Sequence, residues 1–340
     1  MLSVIVAVHN QIGHNQLFLK GIRQYTTGAY EVVVIDNHST DGSAEFFESE
    51  GCRVIRNTAN LCYPESMNLG TRNSSGAYVC HINNDLYVGP GWNGRLIEAM
   101  ERFNLDAITP LGLEMMPTPA LTDWIQARWA TIGQGRLSSG KSEVQLHAKI
   151  RAMYGNWEAF CSQVYRSFSD VMFDGLNGSC VMLRRSTLEK IGCLDERVQA
   201  ADWDLYYTLR KREEELGDVR RCKIFGGCYV HHFIRATIKG RREPFACTHP
   251  RLSIHDKWSR EEQERLWYKP NYFQPISGRR SFHDLVRRHV SRPLEKLARQ
   301  WQRAVSWRWL YVPPEKIVEL HRRQIQALGS GTWQKGGSSS

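Results

Sequence analysis

The chain predicts an α/β fold: a doubly wound mixed sheet, interrupted by a helical insertion and followed by a basic helical extension. Three observations carry this expectation. Short β-branched runs alternate with helix-patterned stretches over the first 110 residues, as in strands joined by right-handed helical crossovers. Polar clusters around Asp36 and Asp85 stand where those runs end, and open α/β sheets hold their ligands beyond the carboxyl ends of their strands. From Thr118 to Phe173 the alternation gives way to long helical segments carrying aromatics.

Residues 2–8 (Leu-Ser-Val-Ile-Val-Ala-Val) and 31–35 (Glu-Val-Val-Val-Ile) are nearly continuous apolar runs, the signature of strands covered on both faces. Between them, Gln16 to Tyr25 places Leu17, Leu19, Ile22 and Tyr25 at helical spacing. The stretch Asp36 to Ser43 reads as a turn leading into a helix start. A strand over 52–56, a helix over 65–74 and a strand over 77–82 follow, the last stopping at Asn83-Asn84-Asp85. Helical pattern then runs over 142–168, after a Gly/Ser break at 133–140. A second block offers a strand at 179–183, helices at 186–191 and 194–209, and a strand at 223–230 that ends in His231-His232. The expected division is 1–110, a helical insertion at 111–175, a second α/β half at 176–260, a basic helical extension at 261–328 and a flexible tail at 329–340.

No run of about 18 apolar residues appears, so no membrane span is expected. The start, Met1-Leu2-Ser3-Val4, enters a strand without a basic leader, which points to a cytoplasmic protein. Nine cysteines without a CxxC pair suit reduced thiols better than a disulfide framework or a structural zinc site. Charge is concentrated: between Ser277 and Ala327 twelve Lys and Arg face four Asp and Glu, which accounts for most of the chain's net +10. With Trp301, Trp307 and Trp309 interleaved, that segment suits an anionic membrane surface or an acidic partner, or is a solvated helical face.

Chemistry concentrates at Asn83-Asn84-Asp85. A strand-end carboxylate facing the crevice offers the hard oxygen that Mg²⁺ or Mn²⁺ prefers. Its surroundings are more specific. Asn60 to Gly70, Ser75 to Val79 and Asn83-Asn84-Asp85 together resemble NxGfxxxxNxGxxxAxGxyxxxLNND, a signature of family-2 glycosyltransferases, particularly the rhamnosyltransferase-like branch. Val4 to Asn10, Val33 to Ser43 and Pro90-Gly91-Trp92 are similar to further segments of that family.

The resemblance implies a GT-A fold and an inverting transfer from a UDP- or dTDP-sugar to a glycan or lipid-linked acceptor. It places Ala7, His9 and Asn10 against the nucleotide base, with Asp36 accepting from the base N3–H. Asn60 and Asn68 stand where the family has donor-contacting polar groups. Asn83, Asn84 and Asp85 stand at the metal motif, with Asp85 as the carboxylate on Mn²⁺ or Mg²⁺. Cys62 replaces the family's glycine, which puts the local turn in question.

On the acceptor side, Gly178 to Arg185 and Glu189 to Glu196 are similar to the run GxxxLxRRxxxxxxGxFDE, and Ala201-Asp202-Trp203-Asp204-Leu205 to EDxDL. Read alone, Asp202 is a helix N-cap; in the motif it is the general base that takes the acceptor proton. Gly178, Trp203 and Asp204 would line the acceptor. Val230 to Thr237 is similar to VxHxxxxS, whose spacing favours His232 as a metal ligand over the adjacent His231.

Two other classes fit less well. A nucleotidylyltransferase needs a Gly-rich basic loop where His9-Asn10-Gln11-Ile12-Gly13 stands. A nucleic-acid-binding protein would rest on the basic tail alone, with no recognition motif, so no nucleic-acid partner is expected. The resemblance points instead to surface polysaccharide assembly, at most peripheral to a membrane.

Overall fold

Strand β1 (Leu2–Val8) reads as an unbroken apolar run because both its faces are covered, and the N-terminal half is built around it. The computed structural model describes residues 1–134, 140–233, 244–267, 316–319 and 322. Strands β2 (Tyr30–Asn37) and β4 (Tyr78–Asn83) flank β1 in parallel, and β3 (Arg53–Asn57) extends the sheet beyond β2. The register pairs Val8 with Asp36 and Ala7 with Asn83. Three strands thus end level, and His9, Asp36 and Asn83-Asn84-Asp85 lie along one sheet edge.

The second half reverses direction. Strand β8 (Cys180–Arg184) pairs antiparallel with β4, and β6 (Ala107–Leu111) antiparallel with β8. Strand β9 (Lys223–His232) runs parallel to β6, while β5 (Leu86–Val88) and β7 (Met172–Asp174) pair antiparallel with β9. The order β3-β2-β1-β4-β8-β6-β9-β5, with β7 on β9, is the mixed doubly wound sheet expected. Short β5 follows the Asp85 turn directly and pairs Leu86 with His232, so sheet pairing brings the two ends of the chain's chemistry together.

Helix ends show where tertiary contacts override local pattern. Helix α1 (Ile12–Tyr25) starts four residues before the expected Gln16, because Asp41 Oδ2 accepts from the Ile12 N–H at 2.9 Å. Asn10 and Gln11 just ahead of it are both left-handed, φ 59° and 71°. Helix α2 (Ser43–Ser49) starts after the polar turn. Helix α3 (Tyr63–Arg72) follows Cys62 at φ −70°, ψ 160°, an extended conformation that any residue adopts. The missing glycine therefore costs nothing there.

Helix α4 (Trp92–Arg102) leads to β6. The 111–175 region holds α5 (Pro119–Gln134), α6 (Glu143–Tyr154) and α7 (Trp157–Phe168). The helical run over 142–168 is two helices, because Gly155 takes φ 69° and Asn156 caps α7 through the Ala159 N–H. These helices pack back onto β9: Tyr154, Trp157, Phe160 and Phe168 join one apolar cluster with the sheet.

Helix α8 (Arg185–Ile191) precedes a loop where a helix was expected from Leu194. Asp195 there turns its side chain onto the Arg197 N–H and guanidinium, which favours a turn over helix, so α9 spans Ala201–Glu215. Helices α10 (Ile254–Lys257) and α11 (Arg260–Leu266) follow. Among the described residues no helix is long and apolar enough to cross a membrane. Most of the basic stretch from Ser277 to Ala327, the tail at 329–340 and Thr237 lie outside the described residues.

Candidate active site

The loops after β1 and β2 are laced together. Asn10 N–H donates to Ser39 Oγ at 2.8 Å, and Asn10 Oδ1 accepts from the Thr40 N–H at 2.8 Å. His9 Nδ1 lies 2.7 Å from the Asn37 carbonyl, which pins the ring. Asp36 is buried; Oδ2 accepts from the Ser39 N–H at 3.2 Å, while Oδ1 is buried with no hydrogen-bond partner among the described residues. A buried carboxylate oxygen left so is costly unless a ligand N–H completes it.

At the end of β4, Asn83 N–H donates to the Ser179 carbonyl at 2.9 Å, and buried Asn84 donates to Asn15 Oδ1 on α1 at 2.7 Å. Asn84 is thus committed to the scaffold. Asp85 is buried, and its Oδ1 lies 3.2 Å from His232 Nε2. Burial pushes the Asp85 carboxyl up, but the charge and hydrogen bond of His232 hold it below the usual range. Burial opposes a charge on His232 as well; Asp85 and Glu114 outweigh it and raise the imidazole to about 10.

The pairing separates the two histidines. Adjacent strand residues face opposite ways, and His231 is fully buried on the other side, with Nδ1 2.7 Å from the Tyr154 hydroxyl and its ring between Trp129 and Phe233. Burial holds it well below the ordinary imidazole range.

Glu114 is the residue the sequence reading missed. Its Oε1 pairs with His232 Nδ1, and its Oε2 is buried without a partner among the described residues. It stands just past β6, so an acid two residues beyond Gly112, at a strand's carboxyl end, was the available signal. His14, behind Asp85 on α1, was also unread; burial lowers it to about 4. Asp85 and His232 Nε2 supply the carboxylate and imidazole donors that suit a divalent cation, with Glu114 on the far nitrogen of the ring.

Asp202 opens α9. A Cβ added at Gly178 would fall 2.3 Å from Asp202 Oδ2, so the glycine makes room for the carboxylate. Gly178 adjoins Ser179, which is bonded to Asn83, and this places Asp202 across from the metal motif. Asp202 Oδ1 accepts from the Trp203 N–H at 3.0 Å, and burial pushes its carboxyl up. Trp203 stacks on Trp267 with ring centroids 4.0 Å apart at 10°.

Two of the expected contact residues are engaged with the scaffold. Asn68 is buried: its amide donates to the Leu194 carbonyl and Glu196 Oε1 at 2.8 and 3.0 Å, and its Oδ1 accepts from the Leu194 N–H at 3.0 Å. It staples α3 to the loop before α9. Asp204 is buried too, with Lys257 Nζ 2.8 Å and Trp258 Nε1 2.7 Å from its two oxygens. It latches α10 to α9. Asn60 is buried, its carbonyl accepting from the Ala246 N–H at 2.8 Å.

A second group with ligand chemistry, Glu65, Glu196 and His249, brings one donor atom each within 4.8 Å of the others. It lies where residues 246–249 cross the start of α3.

Residues 3–139 match the family model described as Glycosyl transferase family 2. With the mixed sheet, that match bears out the GT-A fold. An uncharacterized glycosyltransferase of Haemophilus influenzae is 29% identical over 103 residues, 30% of this chain and 35% of that protein. A second from the same organism is 27% identical over 117 residues, 33% and 36% of the two chains. The chain thus spans about a third of the length of the curated relatives it matches. Among solved structures, the mannosyltransferase PcManGT from Pyrobaculum calidifontis, in complex with GDP-Man and Mn²⁺, is 14% identical. It covers 97% of this chain and 81% of its own, with a TM-score of 0.46. S. aureus TarS 1–349 in complex with UDP is 15% identical over 68% of this chain and 60% of its own, with a TM-score of 0.43.

Proposed function

We propose, for a chain whose residues 3–139 match the family-2 glycosyltransferase model, that it transfers a sugar with inversion from a UDP- or dTDP-linked donor to a glycan or lipid-linked hydroxyl. The observation that carries this is the convergence at one sheet edge of three buried or half-buried carboxylates in different states: Asp36, Asp85 and Asp202.

Each state suits one task. Asp36 Oδ1 lacks a donor, and the N3–H of a uracil or thymine supplies one. His9, pinned beside it, offers an imidazole face to the base. Asp85 stays ionised and, with His232, would hold Mn²⁺ or Mg²⁺; when bound, that cation neutralises charge building on the departing diphosphate. Asp202, raised by burial, is better matched to proton abstraction than an ordinary carboxylate. It takes the acceptor hydroxyl proton as the oxygen attacks the anomeric carbon from the face opposite the diphosphate. A single displacement inverts that carbon. Trp203, beside it, offers an apolar ring to the acceptor. Surface polysaccharide assembly, from a cytoplasmic or membrane-peripheral position, is the setting this chemistry suits.

The test is a thermal-shift and donor-hydrolysis screen of UDP- and dTDP-sugars with and without Mn²⁺, followed by anomeric analysis of the product. Stabilisation by a nucleoside diphosphate and Mn²⁺, with an inverted product, is the expected result. A product of retained configuration overturns it.

A further inference from the structure

We infer that Glu114 is a positioning residue that fixes His232 with its Nε2 turned to Asp85. This rests on the reading of Asp85 and His232 as the cation's holders.

Three features point to it. First, Glu114 Oε1 accepts from His232 Nδ1 while His232 Nε2 sits 3.2 Å from Asp85 Oδ1, so the ring bridges the two carboxylates. A carboxylate on one imidazole nitrogen sets the tautomer and orientation of the ring, and frees the other nitrogen's lone pair for a cation.

Second, Glu114 is itself held. Gly112 and Met115 exchange backbone hydrogen bonds at 3.3 and 3.2 Å, Gln126 Nε2 donates to the Leu113 carbonyl at 3.0 Å, and Met116 N–H donates to Thr122 Oγ1 at 3.0 Å. Leu113 and Met115 on either side are buried in the core. A Cβ at Gly112 would fall 2.7 Å from Asn177 Nδ2 and 2.9 Å from Glu114 Oε2, so glycine leaves the carboxylate room in this turn.

Third, Glu114 Oε2 is buried with no partner among the described residues. The oxygen that is not spent on His232 is therefore not spent on the scaffold either, and among those residues the carboxylate's one side-chain partner is the ring it orients.

The role separates from direct ligation by a double-mutant cycle on Mn²⁺ affinity, measured by the electron paramagnetic resonance of free Mn²⁺ in the presence of UDP. Glu114→Ala should weaken Mn²⁺ binding by roughly 10–100-fold, the usual scale for losing an outer-shell partner. Glu114→Gln, whose amide oxygen still accepts from Nδ1–H, should recover part of that loss. In a His232→Ala background, Glu114→Ala should change the affinity by less than about twofold, because the residue it orients is gone. Loss of equal size in both backgrounds overturns the inference in favour of a direct ligand, and no loss in either overturns it outright. UDP affinity without metal should be unchanged in every variant, and a change there counts against it. Failure of the underlying reading looks different: wild-type protein would then bind no Mn²⁺ with UDP.

Discussion

Two groups of carboxylate and histidine face one another in composition but not in circumstance. In Glu65, Glu196 and His249, three of the four carboxylate oxygens have a donor from outside the group and the fourth faces His249. Thr248 supplies Glu65 Oε1, the Cys62 N–H supplies Oε2, Asn68 and Arg72 supply Glu196 Oε1, and His249 stands 3.3 Å from Oε2. In Asp85, His232 and Glu114, an oxygen of Glu114 is left over. The first group clamps residues 246–249 onto α3; the second has capacity to spare. The presence of ligand-type residues is therefore a weaker sign of a ligand than their unfilled valence.

The comparison can be broken most directly at Asp85. Asp85→Ala should abolish metal-dependent transfer and weaken UDP or dTDP binding. Full metal-dependent activity in that variant would move the metal elsewhere, with Glu65 and Glu196 next in line, and full activity in EDTA would remove the metal from the reaction.

Asp202→Asn comes second. Transfer should fall by roughly 10²–10⁴, with donor-nucleotide affinity within a few-fold, since the change removes proton abstraction and leaves the donor side intact. Near-normal turnover in single-turnover kinetics would exclude Asp202 as the base.

His81, under the far end of α3, sharpens the scaffold side. Its Nε2 lies 2.9 Å from Thr71 Oγ1, and burial lowers its pKa to about 4. The unfolded chain, near 6.5, binds the proton first. The depressed folded value thus contributes stability present above about pH 6.5 and lost as pH falls towards 4, on the order of 3 kcal/mol. Urea midpoints across that range should show the slope, and a His81→Leu variant should reduce it by the His81 share, leaving that of His14 and His231.

The smallest effect is expected at Glu196. Glu196→Gln should leave Mn²⁺ affinity within about twofold and cost roughly 1 kcal/mol of stability, the scale of a weakened, partly exposed hydrogen-bond network. A large loss of Mn²⁺ binding would promote the clamp to a metal site.

Much of this was legible. Runs such as Leu2–Val8 located the central strands because parallel strands buried on both faces leave little room for other residues. The places of Asp36, Asp85 and Asp202 in the fold were legible because strand ends and helix starts confine where a carboxylate can stand. The scaffold bonds of Asn68 and Asp204 were not legible, because polar residues inside a motif can serve the backbone that holds it, and spacing does not tell a staple from a ligand contact. Glu114 escaped because its link to His232 spans 118 positions and passes through an irregular turn. The choice between His231 and His232 needed only β5, since one pairing partner fixes which way each side chain faces.

The Asp204 latch has a consequence for the size of the smallest working unit. Lys257 and Trp258 neutralise and satisfy a carboxylate buried two residues from the proposed base. A chain cut before Ser253 would strand that charge inside the protein, a change of roughly 3–5 kcal/mol by the usual cost of orphaning one partner of a buried pair. The segment closing α9 is thus the keystone of the acceptor side rather than trim. Trimmed proteins should melt earlier and lose turnover together, whereas Asp204→Asn in the full chain, which keeps the Trp258 contact, should recover part of both.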